Sequence, residues 1–148
     1  MTKKRDTLTP EQRSYCMSRV KSRDTDIEKL IRSELHRRGL RFRKHPKNLP
    51  GKPDIVFPRA KLIVFIDGDF WHGYRFPRWK DKIHDFWRVK IGRNRERDQK
   101  NLRKLRKMGW KVIRIWQHEI KKDIKKSIDK IVSAVELEKQ ISRKKRSD

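Results

Sequence analysis

Two acidic residues stand at the ends of neighbouring apolar runs and could bind a metal ion. Asp54 follows a proline at the start of the first run, in PDIVF, and Asp67 ends the second run, KLIVFID. A β-hairpin formed by these runs would bring both carboxylates to one edge of a sheet. Together with a backbone carbonyl from around Ile66, they would offer the hard oxygen ligands that suit Mg²⁺. The pattern therefore predicts a magnesium site that could promote phosphodiester hydrolysis.

Two further residues could take part in this chemistry. His72 follows Asp67 in DGDFWH and could act as a general acid or base, because the ordinary pKa of histidine is about 6.5. Glu28 could orient or ionise that histidine. The acidic residues also have purely structural interpretations. Asp54 could begin a strand, Asp67 could belong to a turn, and Glu28 could complete a capping box with Thr25.

The elements that must position these residues can be read from the apolar pattern. Thr25 is the expected N-cap of a helix whose apolar residues recur with a 3.6-residue period until Gly39. The second hairpin run lacks polar alternation, so we expect a central strand buried on both faces. A long basic helix extends from about Asp81 to Met108, with Phe86 in the core and Met108 on the same apolar face. The strand WKVIRIWQ and a last helix complete the chain. This order predicts the α/β class, with a small mixed central sheet flanked by helices.

Composition limits the possible partners. The 148 residues include 44 Lys and Arg against 19 Asp and Glu, a net charge of +25. Such a surface attracts polyanions, and DNA or RNA is favoured over membranes because the chain lacks an apolar span or a basic amphipathic anchor. The single Cys16 and a start without an apolar signal segment favour an intracellular, cytoplasmic and nucleoid-associated protein. We expect one domain over residues 1–138, with an N-terminal arm that contacts DNA, and a basic disordered tail over residues 139–148.

The segment GDFWHGYRFPRW carries an unusual density of aromatic side chains. Such side chains can insert between base steps of distorted DNA, although several could belong to the core. Lysines and arginines of the long helix are candidates for phosphate contacts. These features alone would also suit a DNA-binding protein without catalytic activity.

Five motifs in order resemble the very-short-patch-repair (Vsr) DNA mismatch endonucleases, relatives of type II restriction nucleases. They are CMSRVKSRDTDIE, LPGKPDIVF, FIDGDFWHG, FWRVKIGRNRERD and GWKVIRIW. The resemblance implies a restriction-endonuclease-like core that uses Mg²⁺ to nick one strand of double-stranded DNA, at or near a T:G mismatch, and acts as a monomer. The alternative is a homing, restriction-associated or mobile-element nuclease with Vsr-like catalysis and no strict mismatch specificity.

The resemblance also assigns roles to residues. Asp54 matches the metal-binding aspartate, His72 the catalytic histidine and Glu28 a helix glutamate that supports catalysis. Asp67 occupies a catalytic position where family members carry His or Asp, and the carbonyl of Ile66 matches a backbone metal ligand. The implied DNA-binding residues are Met17, Phe70, Trp71, Trp87, Lys90 and Asn94.

One part of the family pattern differs in this sequence. Family members commonly hold a structural zinc ion with three Cys and one His, whereas the corresponding positions here are Asp69, Tyr74, Phe76 and His118. We therefore expect that structural zinc is lost and that packing of Tyr74 and Phe76 holds the loop.

Overall fold

A mixed sheet with helices on both faces organises the part of the chain that the structure, a computed structural model, describes, namely residues 9–12 and 25–147. The strands are β1 (Arg43–Lys44), β2 (Ile55–Phe57), β3 (Leu62–Asp67) and β4 (Lys111–Trp116). The helices are α1 (Asp26–Arg37), α2 (Phe76–Trp79), α3 (Asp85–Lys107), α4 (Gln117–Lys122) and α5 (Ile124–Ser147), and a 3₁₀ turn covers Lys80–Lys82.

The sheet confirms the predicted hairpin and the predicted α/β class. Its strand order is β1-β2-β3-β4, with β1, β2 and β3 antiparallel in turn and β4 parallel to β3. A parallel pair needs a long crossover connection, which α2 and α3 provide. The start of β2 and the ends of β3 and β4 therefore lie at the same edge of the sheet.

Strand β3 is central and is buried on both faces. Leu62 and Val64 join the core that α1 and α5 cover, whereas Ile63 and Phe65 pack with Leu105 of α3. Because successive side chains of a strand point to opposite faces, two helical layers require two apolar sets. This explains why the strand shows no polar alternation.

Helix α1 begins and ends as predicted. The hydroxyl of Thr25 accepts a hydrogen bond from the backbone N–H of Glu28 at 3.3 Å, which caps the first turn. Gly39 follows the helix with φ of +79°, a conformation that glycine adopts without steric cost. The carboxylate of Glu28 is thereby fixed at the first turn of α1, at one end of the sheet.

Three expectations were wrong. Phe86 was expected in the core, but it is 40% exposed. Met108, expected on the same apolar face, is also exposed and follows the last residue of α3. The tail from residue 139 was expected to be disordered, but α5 continues through it to Ser147. Lysine and arginine side chains in its last turn favour this extension, because cations stabilise the C-terminal end of a helix dipole.

Several predictions concern the amino-terminal region. Met17, Cys16 and most of the predicted DNA-contacting arm lie outside the described residues. None of the helices within residues 25–147 has the length and apolar character needed to cross a membrane.

Candidate active site

The four predicted catalytic residues line one cavity of about 620 Å³. Glu28, Asp54 and Asp67 are almost completely buried, and the side chain of His72 is about one-quarter exposed. The cavity lies at the sheet edge where β2 begins and β3 ends. The fold thus brings together residues that are far apart in the sequence.

The hairpin positions Asp54 against the end of β3. The backbone N–H of Asp54 donates to the carbonyl of Val64 at 3.2 Å, and its Oδ2 accepts a hydrogen bond from the N–H of Ile66 at 2.6 Å. The carboxylate therefore contacts the backbone of the residue whose carbonyl was predicted as a metal ligand. Metal binding by Ile66 stays a prediction.

The environment of Asp54 favours its protonated form. The pKa of Asp54 is raised from 3.8 to about 8, chiefly by burial, and the hydrogen bond from Ile66 opposes this rise. The nearby carboxylates of Glu28 and Asp67 contribute to the same rise. Three buried acids at such close range form a site that a cation would stabilise.

Asp98 of α3 fixes the orientation of His72. The Nδ1 atom of His72 lies 2.7 Å from Asp98 Oδ2, and because a carboxylate only accepts, the imidazole is the donor. Glu28 was expected to orient this histidine. The structure gives that position to Asp98, because α3 packs over the sheet face beside the loop, whereas Glu28 Oε2 lies 3.5 Å from both Arg32 and His45.

Arg114 of β4 completes a ring of charged side chains around His72. Its Nε donates to Asp67 Oδ2 at 2.7 Å, and its Nη2 lies 3.6 Å from Asp98 Oδ2. The Nε2 of His72 lies 3.6 Å from the other oxygen of Asp67. We call these four residues, His72, Asp98, Arg114 and Asp67, the charged ring.

Opposing effects set the pKa of His72. Burial lowers the pKa, but the hydrogen bond to Asp98 and the charges of Asp67 and Asp98 raise it above its ordinary value despite Arg114. The imidazole therefore holds a proton more strongly than a free histidine. A group of this kind can accept a proton during a reaction.

The structure places Asp67 beside His72 and Arg114, with one carboxylate oxygen near each. Metal ligation by Asp67 stays a prediction. Within the described residues, a different group has ligand atoms that all lie within 4.8 Å of one another: Glu28, His45 and Asp54. This group could hold a divalent metal ion.

An aromatic cluster lies beside the cavity and contains three of the predicted DNA-binding residues. Phe70, which is 39% exposed, contacts Trp71, Trp79 and Trp87 through ring centroids 5.1–5.9 Å apart. Trp71 also lines the cavity. The cluster therefore adjoins the cavity through Trp71.

The other described DNA-binding candidates lie on α3. Lys90 and Asn94 are four residues apart and so share one helix face, which continues to Asp98. The side-chain amide of Asn94 donates to the carbonyl of Trp71 at 2.9 Å, and Asn94 lines the cavity. Their contacts with DNA stay predictions, as do those of the aromatic cluster.

The four positions of the family's zinc site hold the loop by direct contacts. Asp69 Oδ1 lies 2.8 Å from His118 Nδ1, and the ring of Tyr74 packs 4.4 Å from that of His118. Phe76 is buried against Trp79. A phenyl ring and a packed phenol do not suit zinc, so this donor set does not fit the structural ion.

Sequence reasoning missed three residues of the site. Arg114 is a charged residue within an apolar strand, and Asp98 follows Asn94 by one helical turn. Each position gave only a weak indication of a functional role. His45 lies next to Pro46 in a polar segment and could be placed only by extending the β1–β2 pairing. All three contact partners that are distant in the sequence.

Comparisons with known proteins identify the family of the chain. The family model for DNA mismatch endonuclease Vsr matches residues 5–78. The chain is 47% identical over 117 residues to the type II nicking enzyme V.XorIIP of Xanthomonas oryzae pv. oryzae, covering 78% of this chain and 86% of the relative. It is 39% identical over 133 residues to the type II nicking enzyme V.NmeDIP of Neisseria meningitidis serogroup C, covering 88% and 90%. It is 38% identical over 107 residues to the DNA mismatch endonuclease Vsr of Escherichia coli K12, covering 71% and 69%.

The fold, the site and these similarities define an α/β nuclease with a restriction-endonuclease-like core that nicks DNA. The chain belongs to the Vsr family of DNA mismatch endonucleases.

Proposed function

We propose that this protein is a Mg²⁺-dependent endonuclease that nicks one strand of double-stranded DNA at or near a T:G mismatch. The observation that carries the proposal is the convergence of Asp54 and the His72–Asp98 pair in one cavity. The names of its relatives, which are nicking enzymes and a mismatch endonuclease, support it further.

The donor set suits magnesium. Asp54, Asp67 and the carbonyl of Ile66 would supply oxygen ligands, and the three buried acids provide the negative charge. When bound, Mg²⁺ would supply Lewis-acid stabilisation of the phosphodiester and of the departing oxygen.

His72 would accept the proton of the attacking water. Because Asp98 receives the Nδ1–H, the Nε2 atom is left with the lone pair that can take a proton. The negative charge of Asp98 then stabilises the imidazolium, and Arg114 holds Asp98 and Asp67 in place. Glu28 would act from the other side of the cavity through its effect on Asp54.

Recognition would involve the aromatic cluster and α3. Phe70, Trp71 and Trp87, whose rings contact one another, would insert beside a mismatched pair. Added protein–DNA contact would offset the cost of unstacking the bases. Lys90 and Asn94 would contact the pair itself. Met17 would enter from the opposite groove.

A supercoiled-plasmid assay with Mg²⁺ tests the catalytic proposal. We expect wild type to give nicked circles and Asp54→Ala and His72→Ala to lose nearly all activity. His36→Ala is a matched control, because His36 is exposed on the last turn of α1. Full activity in either of the first two variants would contradict the mechanism.

The second candidate is a nuclease with the same catalysis but no strict mismatch preference. The hydrogen bond between Asp69 and His118 favours it, because this contact replaces the family's zinc ligands in the loop that bears Phe70 and Trp71. Labelled duplexes that differ only in a T:G or T:A pair would separate the candidates. Equal nicking of both duplexes would support the second candidate.

A further inference from the structure

We propose that Glu28, His45 and Asp54 form a binding site for a divalent transition metal ion such as Co²⁺, with His45 as the nitrogen ligand. The inference deepens the proposed function and rests on it, because Asp54 belongs to both sites. It assigns a role to His45, which the proposed reaction does not use.

The three side chains converge in a buried environment. Their potential ligand atoms all lie within 4.8 Å of one another, and His45 Nε2 is 3.5 Å from Glu28 Oε2. The side chain of His45 is only 12% exposed and that of Glu28 only 5%. Small movements of the side chains would bring all three atoms to metal-binding distance.

The sheet register explains why His45 reaches this place. Lys44 pairs with Ile55, and the backbone N–H of the next residue, His45, donates to the carbonyl of Asp54 at 3.3 Å. His45 and Asp54 are therefore cross-strand neighbours. Side chains of directly opposed residues lie on the same face of a sheet, about 4.5–5.5 Å apart at Cβ.

The backbone of His45 is held in an unusual conformation. Its φ is +47°, in the left-handed region, and the next residue is Pro46, which disfavours compact conformations of the residue before it. Strained backbone of this kind persists where the surrounding structure enforces it, and it often marks functional sites. Here it places an imidazole beside two acids.

The donor chemistry decides which ion fits. Mg²⁺ prefers oxygen ligands alone, whereas imidazole suits later first-row ions, whose affinity for mixed nitrogen and oxygen ligands exceeds that of Mn²⁺. Arg32 Nη1 also lies 3.5 Å from Glu28 Oε2. This distance exceeds that of a charge-assisted hydrogen bond, which is about 2.7–2.9 Å.

The simpler alternative is that His45 serves Glu28 only as an ion-pair partner.

Calorimetric titration of the metal-stripped full-length protein with CoCl₂ and with MgCl₂, without DNA, tests the proposal. We expect His45→Gln to weaken Co²⁺ binding at least tenfold and to change Mg²⁺ binding less than threefold. His36→Gln, which alters an exposed histidine, should leave both affinities unchanged. Co²⁺ affinity within threefold of wild type in His45→Gln would overturn the proposal and leave the ion pair.

A second measurement does not depend on folding of the variant. Titration of the ¹⁵N-labelled wild type with ZnCl₂ should shift the Nε2 resonance of His45, and an unshifted resonance would also overturn the proposal. Plasmid nicking with Mg²⁺ is measured on the same preparation. If the His45 resonance shifts but the protein does not nick plasmid, only the proposed function is contradicted. If the protein nicks plasmid but the His45 resonance does not shift, only this inference is contradicted.

Discussion

At the scale of single residues, Asp98 is the side chain that gives His72 its orientation and its raised pKa. We expect Asp98→Asn to reduce nicking roughly 10²-fold, a loss typical of impaired acid–base catalysis. The remaining activity should have its acidic limb at lower pH, because removal of the negative charge lowers the pKa of His72. Initial rates measured across pH test both expectations.

The matched control for this variant is Asp85→Asn. Asp85 begins the same helix but is exposed and pairs with Arg88 at 2.7 Å, away from the charged ring. It should nick DNA at the wild-type rate. An unshifted acidic limb in Asp98→Asn would show that His72 is not the group whose titration limits the rate.

Asp54 makes a separate prediction for stability. The folded state holds its proton up to about pH 8, whereas the unfolded chain releases it near pH 3.8. The stability that this pKa difference contributes is therefore fully present below pH 3.8 and is lost as pH rises through 8. In EDTA, the free energy of unfolding should fall by up to about 1.4 kcal/mol per pH unit in this window.

Urea denaturation of wild type and Asp54→Asn between these pH values measures this contribution. The asparagine variant removes the titrating group while keeping the shape of the side chain. The difference in unfolding free energy between the two proteins should therefore change with pH. A constant difference would contradict the assigned pKa shift.

The sequence allowed the two acids at the hairpin ends and His72 to be predicted, because each is adjacent to a local pattern. Asp98 and Arg114 could not be assigned roles in this way. Their partners are 26 and 47 residues away, and the contacts depend on how α3 packs and on the β3–β4 register. His45 required the short β1–β2 pairing, which two exposed basic residues gave no reason to expect.

At the scale of elements, the turn at Gly73 shapes the loop that carries the aromatic cluster. Gly73 has φ of +68°, and a Cβ there would lie 2.6 Å from Cδ and 2.9 Å from Cγ of Arg95. We expect Gly73→Ala to lower the free energy of unfolding by about 1–2 kcal/mol, because both the backbone and Arg95 would be strained. Thermal denaturation measures this change.

Gly92→Ala provides the comparison within α3. Nothing lies within 4 Å of the position that its Cβ would occupy, and it is inside the helix. Alanine there should stabilise the protein by about 0.5–1 kcal/mol. The two glycine variants should thus change stability in opposite directions, and changes of the same sign would contradict the steric argument.

Helix α3 shows what pattern reasoning can and cannot give for an element. Its existence and its basic character were predicted from the sequence. The helix begins after its N-cap His84, whose ring accepts a hydrogen bond from the N–H of Phe86, and it ends before its C-cap Met108. The apolar spacing of Phe86 predicted burial, but its ring packs against Trp87 in a cluster at the surface.

At the scale of the whole molecule, the net charge of +25 should dominate affinity for DNA. If the protein neutralises about six phosphates, the logarithm of the association constant should fall with the logarithm of salt concentration with a slope near −5. Fluorescence anisotropy of a labelled duplex in EDTA measures this slope without cleavage. A slope shallower than about −2 would contradict binding through the phosphate backbone.

The contact between Asp69 and His118 has a consequence for how the enzyme withstands its surroundings. The loop and helix α4 are joined there by an acid, an imidazole and a tyrosine ring, groups that peroxide does not readily oxidise and that chelators cannot extract. The loop that carries Phe70 and Trp71 should therefore keep its shape through oxidative stress and metal starvation, and only the catalytic step would wait for a cation.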